Sequence, residues 1–424
     1  MKYTELDREL LEKEFECVKK EFDALKEKGL RLDMSRGKPS AEQISLSDGM
    51  LSVINGEDCV SGSNDYRNYG IVDGIPEAKK LFADLMECEN DEIIVCGNSS
   101  LNIMYDTLMR AMVFGIDGNS TPWGKLDKVK FLCPVPGYDR HFRICEKLGI
   151  EMINVDMTPT GPDMDTVEKL VSEDESIKGI WCVPKYSNPD GITFSDETVK
   201  RFASLRPAAR DFRIFWDNAY CVHDLYDTPD TLTNLLKECK KAGNDDLPYI
   251  FASTSKISYP GSGVAVIVSS KNNIARIKDQ ISTQTIGHDK INQLRHVKFF
   301  RNVEGIMVQM KKQADIMRPK FEVVVNTLER EFSENTIAEW TKPNGGYFVS
   351  VNLLDGCAKR TVKLCAEAGV KLTDAGATFP YGIDPRDRNI RIAPTYPSLE
   401  EMKGAIEIFC VCVKLASLEK LLNK

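Results

Sequence analysis

Two segments of the chain place reactive side chains directly after predicted strands. Trp216-Asp217-Asn218-Ala219-Tyr220 ends a strand on a carboxylate with a tyrosine three residues later, and Ser253-Thr254-Ser255-Lys256 puts an amine behind two hydroxyls. A buried Asp217 needs a cationic partner or strong hydrogen-bond donors, because otherwise it would take up a proton. Lys256 fits two roles: a solvated surface lysine, or a nucleophile that forms a Schiff base beside an anion site.

Three further segments carry polar or aromatic residues at predicted strand ends. Gly97-Asn98-Ser99-Ser100 opens a helix, so it is either an ordinary N-cap or a site where backbone N–H groups bind phosphate. Tyr138 follows Pro134-Val135-Pro136-Gly137, which could equally be a rigid turn, and Asn188-Pro189-Asp190-Gly191 has the composition of a surface turn. Because ligands bind outside the carboxyl ends of the strands in open α/β sheets, we expect these segments to meet.

Taken in chain order, the five segments supply the groups that one cofactor requires. A phosphate cradle, a stacking ring, an acid for a ring nitrogen and an amine nucleophile are together the needs of pyridoxal phosphate. Each segment alone also has a purely structural interpretation, so the prediction of this cofactor rests on their combination.

Short apolar runs that alternate with helical patterns must position these residues. Runs of strand length without polar interruption are typical of strands covered on both faces by helices, and the alternation predicts a largely parallel sheet in a layered α/β fold. The predicted strands are Glu92–Cys96, Val129–Cys133, Lys178–Val183, Arg213–Asp217, Tyr249–Ser253 and Val264–Val268, with helices over Ser100–Val113 and Asp139–Lys147 among the connections.

The two ends of the chain have a different organisation. Apolar residues spaced by three and four over residues 5–28 predict an amphipathic helix that packs with the C-terminal part. A long helical region over residues 288–332 leads to strands at Tyr347–Val351 and Asn389–Ala393. Ser398 begins the terminal helix with Glu401 three residues later, which is a capping box.

Composition excludes several classes of protein. The 424 residues carry 56 Lys+Arg against 64 Asp+Glu, a net charge of −8, which argues against a nucleic-acid binder. We expect no membrane span and no secretion signal. The 13 scattered cysteines and 4 histidines lack metal-ligand spacing, so we predict no metal site and a reduced, cytoplasmic protein.

Four phrases extend the pattern into a family resemblance. The chain resembles the class I/II aminotransferases of the fold type I pyridoxal-phosphate family, and within them the type Ic aspartate aminotransferases, over nearly its whole length. The phrases are Arg36-Gly37-Lys38-Pro39-Ser40, Gly97-Asn98-Ser99-Ser100-Leu101-Asn102, Lys185-Tyr186-Ser187-Asn188-Pro189 and Gly376-Ala377-Thr378-Phe379-Pro380-Tyr381-Gly382.

This resemblance implies an α/β, fold type I transferase with two domains. The large domain, residues 57–305, would bind pyridoxal 5'-phosphate and contain a mostly parallel seven-stranded sheet. The smaller α+β domain would combine residues 1–56 with residues 306–424.

The resemblance also implies the roles of the cofactor ligands. Lys256 would hold the cofactor as an aldimine and move the proton, Asp217 would pair with the pyridine nitrogen, and Tyr220 and Asn188 would donate to the phenolic oxygen. Tyr138 would stack on the ring. The phosphate cradle would comprise Asn98, Ser99, Ser100, Ser253 and Ser255.

Substrate and partner residues follow from the same resemblance. Arg391 would bind the substrate α-carboxylate, and Gly37 lies in a segment that closes over the substrate, beside Arg36 as a candidate for the second carboxylate. Arg67, Arg140 and Arg143 are alternative candidates, and each could equally be a surface residue. Tyr69 would reach the phosphate of a neighbouring subunit, so the active unit would be a homodimer with shared sites. His141 is predicted to be structural rather than catalytic.

One position departs from related aminotransferases. They commonly carry an arginine eight residues after the Schiff-base lysine, where it contacts the phosphate, but this chain has Val264 there. We therefore expect backbone amides and hydroxyls, or a cation from another part of the chain, to contribute more of the phosphate binding.

The predicted function is a ping-pong transfer of an amino group from aspartate to 2-oxoglutarate. Three alternatives remain at this point. A C–S lyase or an aromatic or 2-aminoadipate aminotransferase would use the same cofactor, because a lysine such as Lys256 can steer either β-elimination or a proton shift. A transcription regulator would need a DNA-binding domain, for which the region before Arg36 is too short. A cofactor-free binding protein would leave the shared order of Asn188, Asp217, Tyr220 and Arg391 unexplained.

Overall fold

A central sheet of eight strands dominates the computed structural model, which describes residues 2–423. The strands of these residues, β1 to β15 in chain order, are Leu32–Asp33, Val60–Ser61, Asn64–Asp65, Ile93–Val95, Lys130–Val135, Glu151–Thr158, Gly161–Pro162, Ile177–Cys182, Arg213–Asp217, Pro248–Ser253, Ala265–Val268, Ala338–Trp340, Val349–Leu353, Val370–Lys371 and Asn389–Ile392.

The central sheet has the order β4-β11-β10-β9-β8-β5-β6-β7. Four neighbouring pairs in its middle are parallel, whereas β11 runs antiparallel to both β10 and β4. Seven strands form the predicted mostly parallel sheet, which is confirmed, and the two-residue strand β7 extends its edge beside β6. All six strands predicted from apolar runs are present, and β6 is a seventh that the sequence pattern did not indicate.

Helices cover both faces of this sheet. In β4, Ile93 and Val95 belong to one hydrophobic core and Ile94 belongs to the core on the other face, because successive side chains of a strand point to opposite sides. The helices α1 to α13 of residues 2–423 are Arg8–Glu27, Ala41–Ser45, Pro76–Met86, Ser100–Phe114, Asp139–Leu148, Met164–Glu173, Asp196–Ala203, Leu235–Ala242, Lys271–Ile281, Lys290–Phe300, Val303–Phe332, Ala358–Glu367 and Leu399–Leu422.

A separate core joins the two ends of the chain. Leu11, Val18 and Phe22 of α1 are buried in one cluster with the apolar face of α13. Ser398 caps α13 through the predicted capping box. The three-stranded antiparallel sheet β12-β13-β15 packs in the same cluster, and this sheet places Arg391.

The predicted helical region 288–332 consists of two helices. Helix α10 ends at Phe300 because Arg301 adopts a left-handed φ of 67°, and the side chain of Asn302 then caps α11. Among the helices of residues 2–423, none has the length and apolar character needed to cross a membrane. The described residues also contain no cluster of three or more potential metal-ligating side chains.

Candidate active site

Neighbouring strands bring the predicted reactive residues to one cavity. Strands β9 and β10 are parallel with Asp217 opposite Phe251, so Asp217 and the turn Thr254–Lys256 after β10 lie at the same edge of the sheet. The cavity is lined by Gly37, Ser100, Leu101, Met104, Tyr138, Val183, Asn188, Asp217, Ala219, Tyr220, Lys256 and Phe348. Ten of these residues lie in the predicted large domain, residues 57–305, and the other two, Gly37 and Phe348, lie in the predicted small domain.

Asp217 is buried and has one oxygen without a partner. Its Oδ2 lies 3.1 Å from Nε2 of His141, whose ring stacks on Trp181 at a centroid distance of 4.3 Å. Its Oδ1 is buried without a hydrogen-bond partner among residues 2–423. An unpaired buried carboxylate oxygen is costly, so Oδ1 is suited to accept a hydrogen bond from a bound molecule.

His141 has a position that the sequence analysis did not anticipate. The prediction made it structural, whereas the structure places it directly against Asp217. The sequence feature that could have predicted this position is the spacing of His141 from Tyr138, because residues three apart at the start of a helix lie on the same side. The two rings are in edge contact, with centroids 4.9 Å apart.

Two tyrosines form the wall beside Lys256. The Nζ atom lies 5.0 Å from the ring centre of Tyr220 and 5.7 Å from that of Tyr347. Burial lowers the pKa of Lys256, while the charge of Asp217 opposes this shift. A lowered pKa increases the fraction of neutral amine, which is the nucleophilic form. Burial also raises the pKa of Tyr220 well above its ordinary value, so its hydroxyl stays a hydrogen-bond donor.

His223 fills the space behind this wall. It is fully buried, its ring meets those of Tyr220 and Tyr347 edge-on, and neither ring nitrogen has a hydrogen-bond partner among residues 2–423. Burial and the nearby charge of Lys256 lower its pKa to about 3. His223 therefore stays neutral at physiological pH, and it adds no second cation beside the amine.

Hydroxyls and backbone amides form a pocket at the start of α4. The N–H of Gly263 donates to Oδ1 of Asn98 over 2.6 Å, and the hydroxyl of Ser253 donates to that of Ser255 over 3.1 Å. Ser99 caps α4 through the N–H of Asn102. The first N–H groups of a helix and neighbouring hydroxyls favour an anion.

Val264 contributes no charge to this pocket. Its side chain is buried in the core on one face of the sheet, and its N–H donates to the hydroxyl of Thr254 over 2.9 Å. The expected reliance on hydroxyls and amides is consistent with this arrangement.

Arg391, on the other sheet, contacts two residues that line the cavity, Asn188 and Phe348. Its Nη1 donates to Oδ1 of Asp139 over 3.0 Å and to Oδ1 of Asn188 over 3.2 Å, and its Nη2 donates to Thr373 over 3.3 Å. The guanidinium carbon lies 4.8 Å from the ring centre of Phe348. The Nε atom is buried without a partner among the described residues. A guanidinium held in this way can bind a carboxylate.

Gly37 lies so close to Phe348, the ring under the guanidinium of Arg391, that a side chain at residue 37 would clash with it. A Cβ at Gly37 would lie 2.2 Å from Cζ of Phe348. Arg36, beside it, is exposed on the loop, where it is attracted to Asp33. Arg36 therefore makes no direct contribution to the cavity wall in this conformation.

The remaining candidates lie apart from the cavity. The side chain of Tyr69 is 83% exposed. Arg67 is paired with Asp65, and Arg143 is paired with Glu146. These pairs favour the surface interpretation of both arginines.

The partnerless oxygen of Asp217, the amine of Lys256 and the anion pocket fit pyridoxal phosphate. The sequence of residues 8–424 matches the family model described as "Aspartate amino-transferase". The chain belongs to this family. Members of this aminotransferase family depend on pyridoxal 5'-phosphate, and the chain is an aminotransferase.

Individual relatives resemble this aminotransferase over most of their length. An aspartate aminotransferase of Corynebacterium glutamicum is 41% identical over 96% of this chain and 94% of that protein. A Mycolicibacterium smegmatis protein that carries an aminotransferase name is 44% identical over 100% of both chains. The crystal structure of an aspartate transaminase from C. glutamicum superimposes with a TM-score of 0.97, at 40% identity and with 99% of each chain covered.

Proposed function

We propose that this aminotransferase transfers the amino group of aspartate to 2-oxoglutarate in a ping-pong cycle. The observation that carries the proposal is one cavity lined by Lys256, Asp217 and Asn188, with Arg391 donating a hydrogen bond to Asn188. The choice of aspartate as donor is supported by the C. glutamicum relative, which bears that name at 41% identity.

Lys256 and Asp217 would manage the cofactor. When bound, pyridoxal phosphate supplies an aldehyde and a ring that accepts electrons. Lys256 would hold the cofactor through its aldehyde, and its amine would remove and return the proton at the substrate Cα. Asp217 would accept a hydrogen bond from the ring nitrogen at Oδ1, while its Oδ2 is paired with Nε2 of His141.

Asn188 and Tyr220 would hold the phenolic oxygen of the cofactor. The amide oxygen of Asn188 accepts from Arg391, so its NH2 group is left to donate toward the cavity. Tyr220 donates its hydroxyl, which burial keeps protonated. The ring of Tyr138 would stack on the cofactor from the side of His141.

The phosphate would bind in the pocket at the start of α4. The donors are the hydroxyls of Ser253 and Ser255 and the residues Asn98, Ser99 and Ser100. The start of the helix adds a favourable partial charge.

Arg391 would bind the α-carboxylate of the substrate, and Gly37 would let the loop close over it. Arg36 would approach the side-chain carboxylate when that loop moves, since it is exposed at the loop. This assignment distinguishes Arg36 from Arg67 and Arg143, which already have carboxylate partners.

A homodimer would complete each site. Tyr69 is 83% exposed, and the backbone beside it is held where Lys290 donates to the carbonyl of Gly70 over 3.1 Å. An exposed tyrosine on a fixed loop is suited to reach the phosphate of a second copy. We also propose a cytoplasmic location, because the 13 cysteines are scattered along the chain and odd in number, as expected for a protein of a reducing compartment.

A half-reaction panel tests the assignment. The protein loaded with pyridoxal phosphate is mixed with single amino acids while the absorption band of the bound cofactor is followed. Loss of the band with aspartate and glutamate, but not with aromatic amino acids, is the expected result. No change with aspartate, together with release of pyruvate from cystathionine, would contradict aminotransfer. Borohydride reduction should leave the cofactor attached to Lys256.

A further inference from the structure

We propose that Asp139 occupies the carboxylate clamp of Arg391 and thereby weakens the binding of substrate carboxylates. The inference rests on the proposed role of Arg391. The Asp139 carboxylate accepts a hydrogen bond from Nη1 of Arg391 over 3.0 Å, and the same Nη1 donates to Asn188 over 3.2 Å. Both hydrogens of Nη1 are therefore in use.

The remaining donors of Arg391 are too few for an end-on pair with a carboxylate. Such a pair uses one N–H from each terminal nitrogen of the guanidinium. Nη2 donates one hydrogen to Thr373 and keeps the other, but Nη1 has none left while Asp139 and Asn188 are both bound. The one other donor without a partner in the described part of the chain, Nε, is buried and out of reach of an incoming group. An incoming carboxylate that pairs end-on must therefore replace one of these two acceptors.

Asp139 is the acceptor that can leave. Its side chain is 33% exposed, whereas that of Arg391 is 8% exposed, and Asn188 is also buried. Asp139 is the first residue of α5, where the helix start stabilises a carboxylate that turns to solvent. Within residues 2–423, the side-chain hydrogen bond that the Asp139 carboxylate accepts comes from Arg391.

Asp139 therefore competes with the substrate carboxylate for the guanidinium of Arg391. Asp139 lies on the large predicted domain and Arg391 on the small one, so the ion pair also spans the cleft that the substrate enters. Removing the charge of Asp139 frees Nη1 and removes a repulsive carboxylate from the clamp. A purely supporting residue would have the opposite effect, because its loss would let the guanidinium turn away.

The test is the dissociation constant of the cofactor-loaded protein for two unreactive acids, maleate and hydrocinnamate, measured by titration calorimetry. We expect D139N to bind them roughly two- to fivefold more tightly than the unaltered protein, the range for an ion pair with one exposed partner. D139S should bind them more tightly as well, and it serves if the asparagine variant folds poorly. Unchanged or weaker binding in both variants would overturn the inference.

Two controls separate this inference from the proposed function. D165N removes a carboxylate that pairs with an arginine in the first turn of α6, and it should leave both dissociation constants unchanged. R391Q should abolish binding of both acids. If R391Q binds normally, the proposed role of Arg391 is wrong. If R391Q fails to bind and D139N does not bind more tightly, the competition by Asp139 alone is wrong. Binding of hydrocinnamate without maleate would contradict the aspartate assignment only.

Discussion

Substitution of Gly37 by alanine tests the contact between the N-terminal loop and the carboxylate clamp. A Cβ at this position would lie 2.2 Å from Cζ of Phe348, whereas ordinary contacts start at 3.4 Å, so a displacement of about 1 Å is required. The backbone of Gly37 is outside the left-handed region, so alanine is compatible with its conformation. The displacement must therefore fall on the loop or on Phe348.

Either displacement reaches the substrate. The guanidinium of Arg391 lies over the Phe348 ring with 4.8 Å between its carbon and the ring centre. A misplacement of about 1 Å in a positioning group costs on the order of 100-fold in rate. We expect G37A to lower kcat/KM for aspartate by about 10- to 100-fold, with the cofactor still bound, because its proposed ligands belong to the large domain.

Steady-state kinetics with aspartate and 2-oxoglutarate measure this effect. G404A is the matched control, because a Cβ there would lie 3.8 Å from Leu32, which is an ordinary contact. It should leave kcat/KM within about twofold of the original value. A G37A protein that also stays within twofold would refute the argument that close packing of this loop on Phe348 positions the clamp.

Three other predictions address the contact between His141 and Asp217, the pH dependence of stability, and the proposed homodimer. H141F removes the hydrogen bond to Oδ2 of Asp217, so urea denaturation of the cofactor-free protein should show a loss of about 1–3 kcal/mol in the free energy of unfolding. Burial raises the pKa of Asp190 to about 6, so its folded pKa exceeds the unfolded one and stability falls as pH rises from 4 to 6. D190N should therefore stabilise the protein by about 2–3 kcal/mol at pH 7 and by almost nothing below pH 4, and an equal effect at both pH values would contradict this. A mixture of Y69A and K256A subunits should regain about one quarter of the original activity, since half of the dimers would be hybrids with one intact site each, whereas no recovery would mean that sites are not shared.

The central strands could be predicted because strands buried on both faces consist mainly of apolar residues. Residues 214–216 and 249–252 are unbroken runs of apolar residues inside two of these strands, because both faces of the sheet are covered. Strand Glu151–Thr158 was missed because it lies near the edge of the sheet, where exposed and buried residues mix in the run Glu-Met-Ile-Asn-Val-Asp-Met-Thr. The end of α10 was missed because Arg301 has a left-handed φ, for which the usual signal is glycine.

The meeting of Lys256, Asp217 and Asn188 at one cavity could be predicted, but the contacts that support these residues could not. Lys256, Asp217 and Asn188 follow strands, and the rule for ligand sites in α/β sheets brings them together. His141 and Asp139 belong to a helix start that carries no motif, and their partners lie 76 and 252 residues away in sequence. Contacts of such separation depend on how the two sheets pack, which local patterns do not encode.

The shared core of α1 and α13 has a consequence for synthesis. Leu11, Val18 and Phe22 are translated long before the helix that buries them, Leu399–Leu422. The apolar residues of α1 therefore have no packing partner from α13 while the residues between the two helices are synthesised. Chains halted before codon 399 would keep that stripe accessible to chaperones or to other nascent chains. This half of the enzyme can thus close only after the helix Leu399–Leu422 has left the ribosome.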